Sequence, residues 1–355
     1  MSSDLKALNC FNQDVEKYAN HPKLQRSIQK GKKYLLSDKL RQHLHDLSPA
    51  FQTMLGVYST ANTLARHFQS GFRHSTMAVL GIAAAMLILY GWYDNIEADL
   101  AILISYLILF LGAAGILWIA KWQRYHSKSL DYRALAEGMR VQIFWHLGGL
   151  PDSVADHYLR KQRGELTWIL SAILALNVYD WVETLEILDN VHLHWIENQR
   201  EWFLKSGQKN KHQAKKLGLW VKGLFALGII LIVAMLVGHF SGILQPESLW
   251  HNLLILGIAL AHAAAALLHH YAEKMAFDEQ AKQYERMTAL FSKASEELEK
   301  ILIRLQQQSN ESAMNETDQK AAKTVLLELG KEALEENGDW VLLHRKRPLE
   351  LPKNG

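Results

Sequence analysis

The sequence predicts an all-α integral membrane protein with four transmembrane helices in two hairpins and a large helical cytoplasmic region. Three observations support this fold class: four long apolar stretches, basic residues beside only one end of each stretch, and few helix breakers elsewhere. The chain has 355 residues, and only six of them are proline. Its mean hydropathy of -0.09 is that of an ordinary globular protein, because apolar blocks and charged segments average out.

Four stretches are long enough to cross a bilayer. A hydrocarbon core of about 30 Å requires about 20 apolar residues at about 1.5 Å of rise each. The stretches are Thr76–Tyr93, Leu100–Ala120, Leu217–Phe240 and Leu249–Leu268. Lys222 is their only formally charged residue, and none has the polar stripe of a helix buried in a soluble protein. Residues 76–120 and 217–270 are therefore expected to form transmembrane hairpins 1 and 2.

Lysine and arginine residues predict the orientation, because they stay on the cytoplasmic side of a membrane. The turns Asp94–Asp99 and Ser241–Ser248 contain neither residue type. All other flanks are basic: Arg66, Arg73, Lys121, Arg124, Lys128, Lys205, Lys209, Lys211, Lys215, Lys216, Lys274 and Lys282. We therefore expect both termini and the middle region to be cytoplasmic, in a multi-pass membrane protein. Tryptophan residues at the span ends, such as Trp118 and Trp250, are typical of an interfacial belt.

The N-terminal region, residues 1–75, is predicted to form short cytoplasmic helices. Breaks are expected at His21-Pro22 and at Ser48-Pro49, because proline ends a preceding helix. From Pro49 a single helix should continue into the first span. Residues 1–20 lack the apolar core of a cleavable signal peptide, so we expect none.

The middle region, residues 121–216, is predicted to contain three helices. The first runs from about Asp131 to Leu147 and ends at Gly148-Gly149. The second begins at Ser153, where Ser153 and Asp156 match the S-x-x-D/E capping pattern, and could continue to Ala175. The third runs from about Tyr179 to Lys216 and into span three.

The middle region is also rich in tryptophan. It contains Trp145, Trp168, Trp181, Trp195 and Trp202. These rings could form an aromatic helical core, or a ligand cage or partner surface.

The C-terminal region is predicted to contain a long cytoplasmic helix, residues 271–308, and a linker, residues 309–318. Residues 319–355 should form an amphipathic helix that ends at Asn337-Gly338, followed by a short strand at Trp340–His344. A weak internal repeat is also visible. Each hairpin is preceded by a basic helix and followed by a helix with a tyrosine near its start, Tyr132 or Tyr284.

The common catalytic motifs are missing. No G-x-G-x-x-G, G-x-x-x-x-G-K-[ST], H-E-x-x-H or G-x-S-x-G pattern occurs, so we expect no enzyme, no catalytic residues and no cofactor. The single cysteine, Cys10, excludes disulfides and a multi-cysteine metal site. His192 and His194 fall on different helix faces, so no metal site is expected there. A net charge of +3 is too small to indicate nucleic-acid binding.

Three histidines are candidates for a pore or gate. His262 falls near the middle of span four, His269 at its cytoplasmic end and His239 at the far end of span three. A polar group at membrane depth usually faces the bundle interior, so His262 could line a pore or a proton-sensitive gate. Alternatively, it makes an interhelical hydrogen bond that only fixes packing.

Small residues at four-residue spacing predict close helix packing. They are Gly257, Ala261 and Ala265 in span four and Gly81 and Ala85 in span one. These contacts could lie within one chain or between chains. Four spans are narrow for a conduit, so any pore would require a homo-oligomer.

Several strings resemble a known family. They are Tyr132–Gln142, Phe144-Trp145, Val154–Leu166, Leu329–Trp340 and His344–Pro348. These strings resemble the membrane half of bacterial proteins that join a SLOG-type nucleotide sensor, related to melastatin-type TRP channels, to transmembrane helices. The hairpin-plus-helix module is similar to the SLATT family. This resemblance implies an effector of nucleotide-signal-linked antiphage defence that breaches the inner membrane. The sensor of the related proteins precedes the stretch that resembles Leu8–Gln69, which implies a separate nucleotide-sensing subunit or sensing by the helical cytoplasmic part.

Three functions remain as hypotheses. The first is an oligomeric membrane effector or channel gated through its cytoplasmic helices. The second is a structural scaffold that recruits a cytosolic sensor or enzyme through the tryptophan-rich middle region. The third is a secondary transporter, which the few charges within the spans disfavour.

Overall fold

The computed structural model shows a helical protein. It describes residues 3–42, 48–96, 98–158, 166–176, 185–246, 248–307 and 316–345. Within these ranges every regular element is a helix and no strand occurs. The all-α prediction is therefore confirmed for the part of the chain that is described.

Prolines begin two helices in the first third of the chain, as predicted. The helices are α1 (Ser3–Tyr18), α2 (Pro22–Tyr34), α3 (Asp38–Gln42) and α4 (Pro49–Asn95). Pro22 and Pro49 occupy first-turn positions, where the missing N–H would have had no helical partner. Helix α4 continues without a break from the N-terminal region through the first apolar stretch.

The second apolar stretch and the middle region follow. Their helices are α5 (Leu100–Trp122), α6 (Tyr125–Leu147), α7 (Val154–His157), α8 (Thr167–Leu174) and α9 (Leu185–Val191). Gly149, with a φ of 65°, is the second residue after the end of α6, which explains the predicted stop. Ser153 caps α7 by accepting a hydrogen bond from the Ala155 N–H. Residues 159–165, through which this helix was predicted to continue, and Tyr179 lie outside the described residues.

The last third of the chain contains the longest helices after α4. A π-helical turn (His192–Glu197) leads into α10 (Asn198–Phe240), which is followed by α11 (Leu249–Met275), α12 (Phe277–Gln307) and α13 (Glu316–Arg345). The predicted helix 271–308 is interrupted, because Ala276 has a left-handed backbone with a φ of 51°. The predicted boundary at residue 270 consequently falls inside α11.

The predicted C-terminal strand is wrong. Trp340–His344 is part of α13, and Asn337 and Gly338 lie inside that helix and do not end it. Asn337 is buried and accepts a hydrogen bond from the Tyr158 hydroxyl at 2.5 Å, while Val341 is fully buried. Packing of this face therefore overrides the local turn and strand signals. The predicted linker 309–318 is also too long at its end, since α13 begins at Glu316.

The chain divides into two compact units. The helical unit comprises Met1–Gln69, His126–Ser206 and Gln283–Pro348, and the apolar unit contains Ser70–Tyr125 and Gly207–Lys282. The core of the helical unit is aromatic: the rings of Phe144 and Trp195 stack at 5.3 Å, and Phe291 meets Trp195 edge-on at 6.4 Å. Burial of such large rings contributes strongly to the stability of this unit.

Four helices are long and apolar enough to cross a membrane. Their most apolar segments, in α4, α5, α10 and α11, have mean hydropathies of 1.7, 2.6, 2.5 and 1.8. Between 0 and 17% of the residues in these segments are buried inside the protein. An apolar surface that remains uncovered to this extent requires a lipid environment. The composition therefore indicates a multi-pass membrane protein.

Candidate functional site

The helices that follow the two pairs of apolar helices begin in the same way. Arg124 and Ala276 have positive φ values of 54° and 51°, and they are the non-glycine residues with this conformation in the described chain. Each separates an apolar helix, α5 or α11, from the next helix, α6 or α12. A left-handed backbone conformation is unfavourable for any residue other than glycine, so surrounding contacts must stabilise both breaks.

The tyrosines of the sequence repeat occupy matching positions. Tyr132 is buried in α6 and packs edge-on against Phe68 of α4 at 5.7 Å. Tyr284 is buried in α12 and packs against Phe203 of α10 at 5.5 Å. In each half of the chain, the helix after the break is thus fixed to the long helix that enters the apolar unit. This correspondence supports the repeat that the sequence suggests.

The partners of the two tyrosine hydroxyls differ. Tyr132 donates to Asp14 over 2.6 Å, and Lys128 donates to the same carboxylate at 2.9 Å. Burial and the neighbouring Asp14 raise the pKa of Tyr132, so the phenol stays protonated. Burial raises the pKa of Tyr284 to about 12, although its interaction with Trp340 opposes this rise. The first tyrosine therefore lies in a closed ion-pair network, whereas the second lies at the edge of a cavity.

A cavity of about 190 Å³ lies inside the helical unit. Its walls come from five helices: Ala65, Arg66 and Gln69 of α4; Ser129, Arg133, Glu137 and Arg140 of α6; Trp202 and Phe203 of α10; Tyr284 of α12; and Glu336, Asn337 and Trp340 of α13. Helices α4 and α10 lead into the apolar unit, and α6 and α12 follow from it. The cavity therefore touches every helix through which the chain enters or leaves that unit.

Arginines and one shared carboxylate dominate the charge of this cavity. Glu137 accepts from Arg140 and pairs with Arg133 at 2.7 Å, and its side chain is only 8% exposed. Burial lowers the pKa of Arg140 to about 10, which still leaves the guanidinium charged at neutral pH. Arg66 is exposed and makes no ion pair with any residue that the structure describes. The three arginines therefore carry more positive charge than Glu137 can neutralise.

Glu336 is a second acid in the wall of the cavity. Burial raises its pKa to about 7, although the nearby Arg133 and Arg140 favour the ionised form. Asp339, on the same helix, raises the pKa further. Glu336 therefore changes its protonation state near neutral pH, which an exposed glutamate does not do.

Aromatic rings line the other side of the cavity. The Arg133 guanidinium lies over the Trp202 ring at 5.9 Å, and Trp202 meets Tyr284 edge-on at 5.2 Å. Trp202 is 36% exposed, whereas Trp145, Trp168 and Trp195 are buried. The two interpretations of the tryptophan-rich region thus apply to different residues: these three rings are core, and Trp202 lines a cavity. Trp181 lies outside the described residues.

The predicted gate histidine His262 is half-buried between two apolar helices. Its Nδ1 lies 2.8 Å from the Ile258 carbonyl oxygen of its own helix, and its ring meets Phe225 of α10 edge-on at 5.4 Å. Gly228 of α10 faces the same ring, and a Cβ atom there would meet it. This hydrogen bond runs within α11, so it does not join two helices.

The other two gate candidates do not join His262. His239 and His269 are both exposed, near the ends of α10 and α11. Among the described residues, no group of three or more His, Cys, Asp or Glu side chains lies close enough to hold a metal ion. His192 and His194 face different partners, Ser295 and the Tyr34 carbonyl, as their spacing predicts.

The small residues of span four line a packed face. Ala261 and Ala265 are buried, and a Cβ at Gly257 would lie 3.3 Å from Leu231 of α10. Span one differs, because a Cβ at Gly81 would meet nothing within 4 Å and Ala85 is half-buried. The small residues of the two spans therefore have different surroundings within one chain.

Comparisons with known proteins give no family for this chain. No protein-family model, no curated protein and no solved structure matches it. The function must therefore be argued from the chain itself.

Proposed function

We propose that the chain is a bacterial inner-membrane effector that forms an oligomeric channel gated through its cytoplasmic helices. The observation on which this proposal depends is the continuity of α4 and α10, each of which runs unbroken from the helical unit into an apolar helix. An unbroken helix transmits a displacement of one end to the other, because its backbone hydrogen bonds keep it stiff. A signal that moves these helices in the helical unit can therefore act on the membrane spans.

The proposed topology has two antiparallel hairpins, α4–α5 and α10–α11, with both termini in the cytoplasm. Contacts at the ends of the helices support it. Gly71 lies against Tyr125, while Tyr90 and Tyr106 near the other ends are 6.5 Å apart. The distribution of lysine and arginine in the sequence supports the orientation.

A homo-oligomer is part of the proposal. Large apolar side chains on α5 remain exposed along the helix, among them Leu103, Leu107 and Leu111. Four helices are too few to enclose a wide aqueous path, so several copies around an axis would be needed. The link to nucleotide-signal-linked antiphage defence, with a separate sensing subunit, rests on the sequence resemblance alone.

The scaffold alternative has less support. It requires the tryptophan-rich region to offer a partner surface, but Trp145, Trp168 and Trp195 are each no more than 3% exposed. Buried rings of this kind stabilise a core and cannot contact a second protein.

Ion flux through the purified protein in liposomes tests the channel proposal. The proposal predicts that a dye-release or potassium-flux signal appears on activation and that His262→Ala changes its rate. His269→Ala is a matched control on the same helix, since His269 is exposed and does not share the contacts of His262. Absence of flux with any activator, together with specific capture of a cytosolic protein, would favour the scaffold.

A further inference from the structure

We propose that the cavity of the helical unit binds a small anion that carries a flat ring, with arginines contacting the charged group and Trp202 and Trp340 flanking the ring. This inference rests on the proposed function in one respect, because it names the class of signal that would act on the cytoplasmic helices. Binding itself is a separate property of the cavity.

The charge of the cavity favours an anion. Arg66, Arg133 and Arg140 line it, and Glu137 is the one carboxylate in ion-pair contact with them among the described residues. A guanidinium presents several N–H donors in a fork that matches a phosphate or a carboxylate. Arg66 is exposed, so it is available to a ligand without the loss of an internal ion pair.

The buried guanidinium also has an unused donor. Arg140 donates to Glu137, but its Nε has no hydrogen-bond partner in the described structure although it is shielded from solvent. A buried donor without an acceptor is unfavourable, and an anionic oxygen in the cavity would supply one. This gives a second, independent indication of an anionic ligand.

The rings and the size of the cavity specify the rest of the ligand. Trp202, Trp340, Tyr284 and Phe203 line the cavity, so a planar group inside it can pack against an aromatic ring. A volume of about 190 Å³ accommodates one ring with a small charged substituent, given that a cavity of about 150 Å³ binds benzene. A larger ligand would have to extend past Arg66 into solvent.

Glu336 makes the binding dependent on pH. It faces Arg133, Arg140 and Glu137 of α6, Tyr284 of α12, and Tyr158, with Asp339 next to it on α13. An anion beside Glu336 disfavours its ionised form, so binding is coupled to the uptake of a proton. Affinity for a phosphate monoester should consequently rise as the pH falls from 8 to 7, a range in which such a ligand, with a second pKa of about 6, stays doubly charged.

Calorimetric titration of the full chain in detergent provides the test. Phenyl phosphate is the probe, and inorganic phosphate, phenol and phenyltrimethylammonium are the comparisons. We expect phenyl phosphate to bind about tenfold more tightly than phosphate, because stacking of the ring adds to the charge contact. Equal binding of phosphate and phenyl phosphate, or preferential binding of the cation, would overturn the proposal.

Two exposed positions allow variants that do not disturb the core. Arg66→Gln should weaken binding of phenyl phosphate about tenfold, and Trp202→Leu should reduce its advantage over phosphate. Arg286→Gln is the matched control, since Arg286 is an exposed arginine of α12 that does not line the cavity. Glu336→Gln should make the affinity independent of pH between 7 and 8, where phenyl phosphate keeps its charge. Equal affinities of the Arg66 and Arg286 variants would contradict the assignment.

Liposome flux distinguishes this inference from the proposed function. Binding of phenyl phosphate without any change in flux supports the cavity assignment and contradicts gating through it. Activated flux in a chain that binds none of the probes contradicts the cavity assignment and leaves the channel supported.

Discussion

Trp145 donates a hydrogen bond from its indole Nε1 to the backbone carbonyl of Leu326, over 3.0 Å. Both residues are buried, and the bond joins α6 to α13 across 181 positions of the sequence. Gly330, one turn further along α13, faces the same indole, and a Cβ atom there would meet the ring. The missing side chain at position 330 therefore allows α13 to pack against α6.

We expect Gly330→Ala to destabilise the helical unit. The added methyl group forces the buried indole of Trp145 to move, and overpacking of this kind costs about 1–3 kcal/mol. Chemical unfolding in detergent, followed by circular dichroism, measures the change. Gly56→Ala in α4 is the control, because its nearest neighbour, Lys32, would lie at an ordinary 3.8 Å. Equal unfolding free energies of the two variants would contradict the packing described here.

The ion pair between Asp14 and Lys128 should contribute strongly to stability. Asp14 is buried and accepts from Lys128 and Tyr132, so Asp14→Asn leaves the Lys128 ammonium without its counter-charge. We expect a loss of about 3–5 kcal/mol in the unfolding free energy. The exposed pair of Glu201 and Lys205 offers a comparison: Glu201→Gln should cost less than about 1 kcal/mol. Similar costs at the two sites would show that Asp14 is not buried as described.

The protonation of Glu336 should make stability depend on pH. Its pKa rises from 4.5 in the unfolded chain to about 7 in the folded protein, so the folded state binds this proton more tightly. The stabilisation is complete below pH 4.5 and is lost as the pH rises through 7, with a change of about 3 kcal/mol. The unfolding free energy should be higher at pH 5 than at pH 8, and Glu336→Gln should reduce this difference. An unchanged difference would contradict the burial of this carboxyl.

Much of the architecture could be predicted from local patterns. The four apolar stretches, the starts at Pro22 and Pro49 and the cap at Ser153 each depend on a few neighbouring residues. The strand at Trp340–His344 was predicted wrongly for the same reason, because the local pattern does not include the partners that bury Val341 and Asn337 in a helix.

The cavity could not be found in this way. Arg66, Arg140, Trp202 and Glu336 come from four different helices, and each alone resembles an ordinary surface or core residue. The strings Tyr132–Gln142 and Leu329–Trp340, which carry the family resemblance, do contain several of its lining residues.

Close packing of α10 and α11 at His262 gives a further prediction. Gly228→Ala places a methyl group against the His262 ring, so either the ring must move or the two helices must separate. We expect a lower unfolding temperature in detergent, corresponding to about 1–3 kcal/mol. Gly218→Ala on the same helix meets nothing within 4 Å and should leave the unfolding temperature unchanged or slightly raised. If both variants unfolded at the same temperature, the ring of His262 would not lie against Gly228 as described.

Labelling of cysteines in intact cells is the most direct test of the membrane topology. Cys10 is the single native cysteine, and Ser241, which follows α10, can be replaced in a chain that carries Cys10→Ser. A membrane-impermeant maleimide should label Ser241→Cys in intact cells and should label native Cys10 only after the cells are lysed in denaturant. Labelling of Cys10 from outside intact cells, or recovery of the chain in the soluble fraction without detergent, would contradict a protein that crosses the membrane four times with its N-terminus inside.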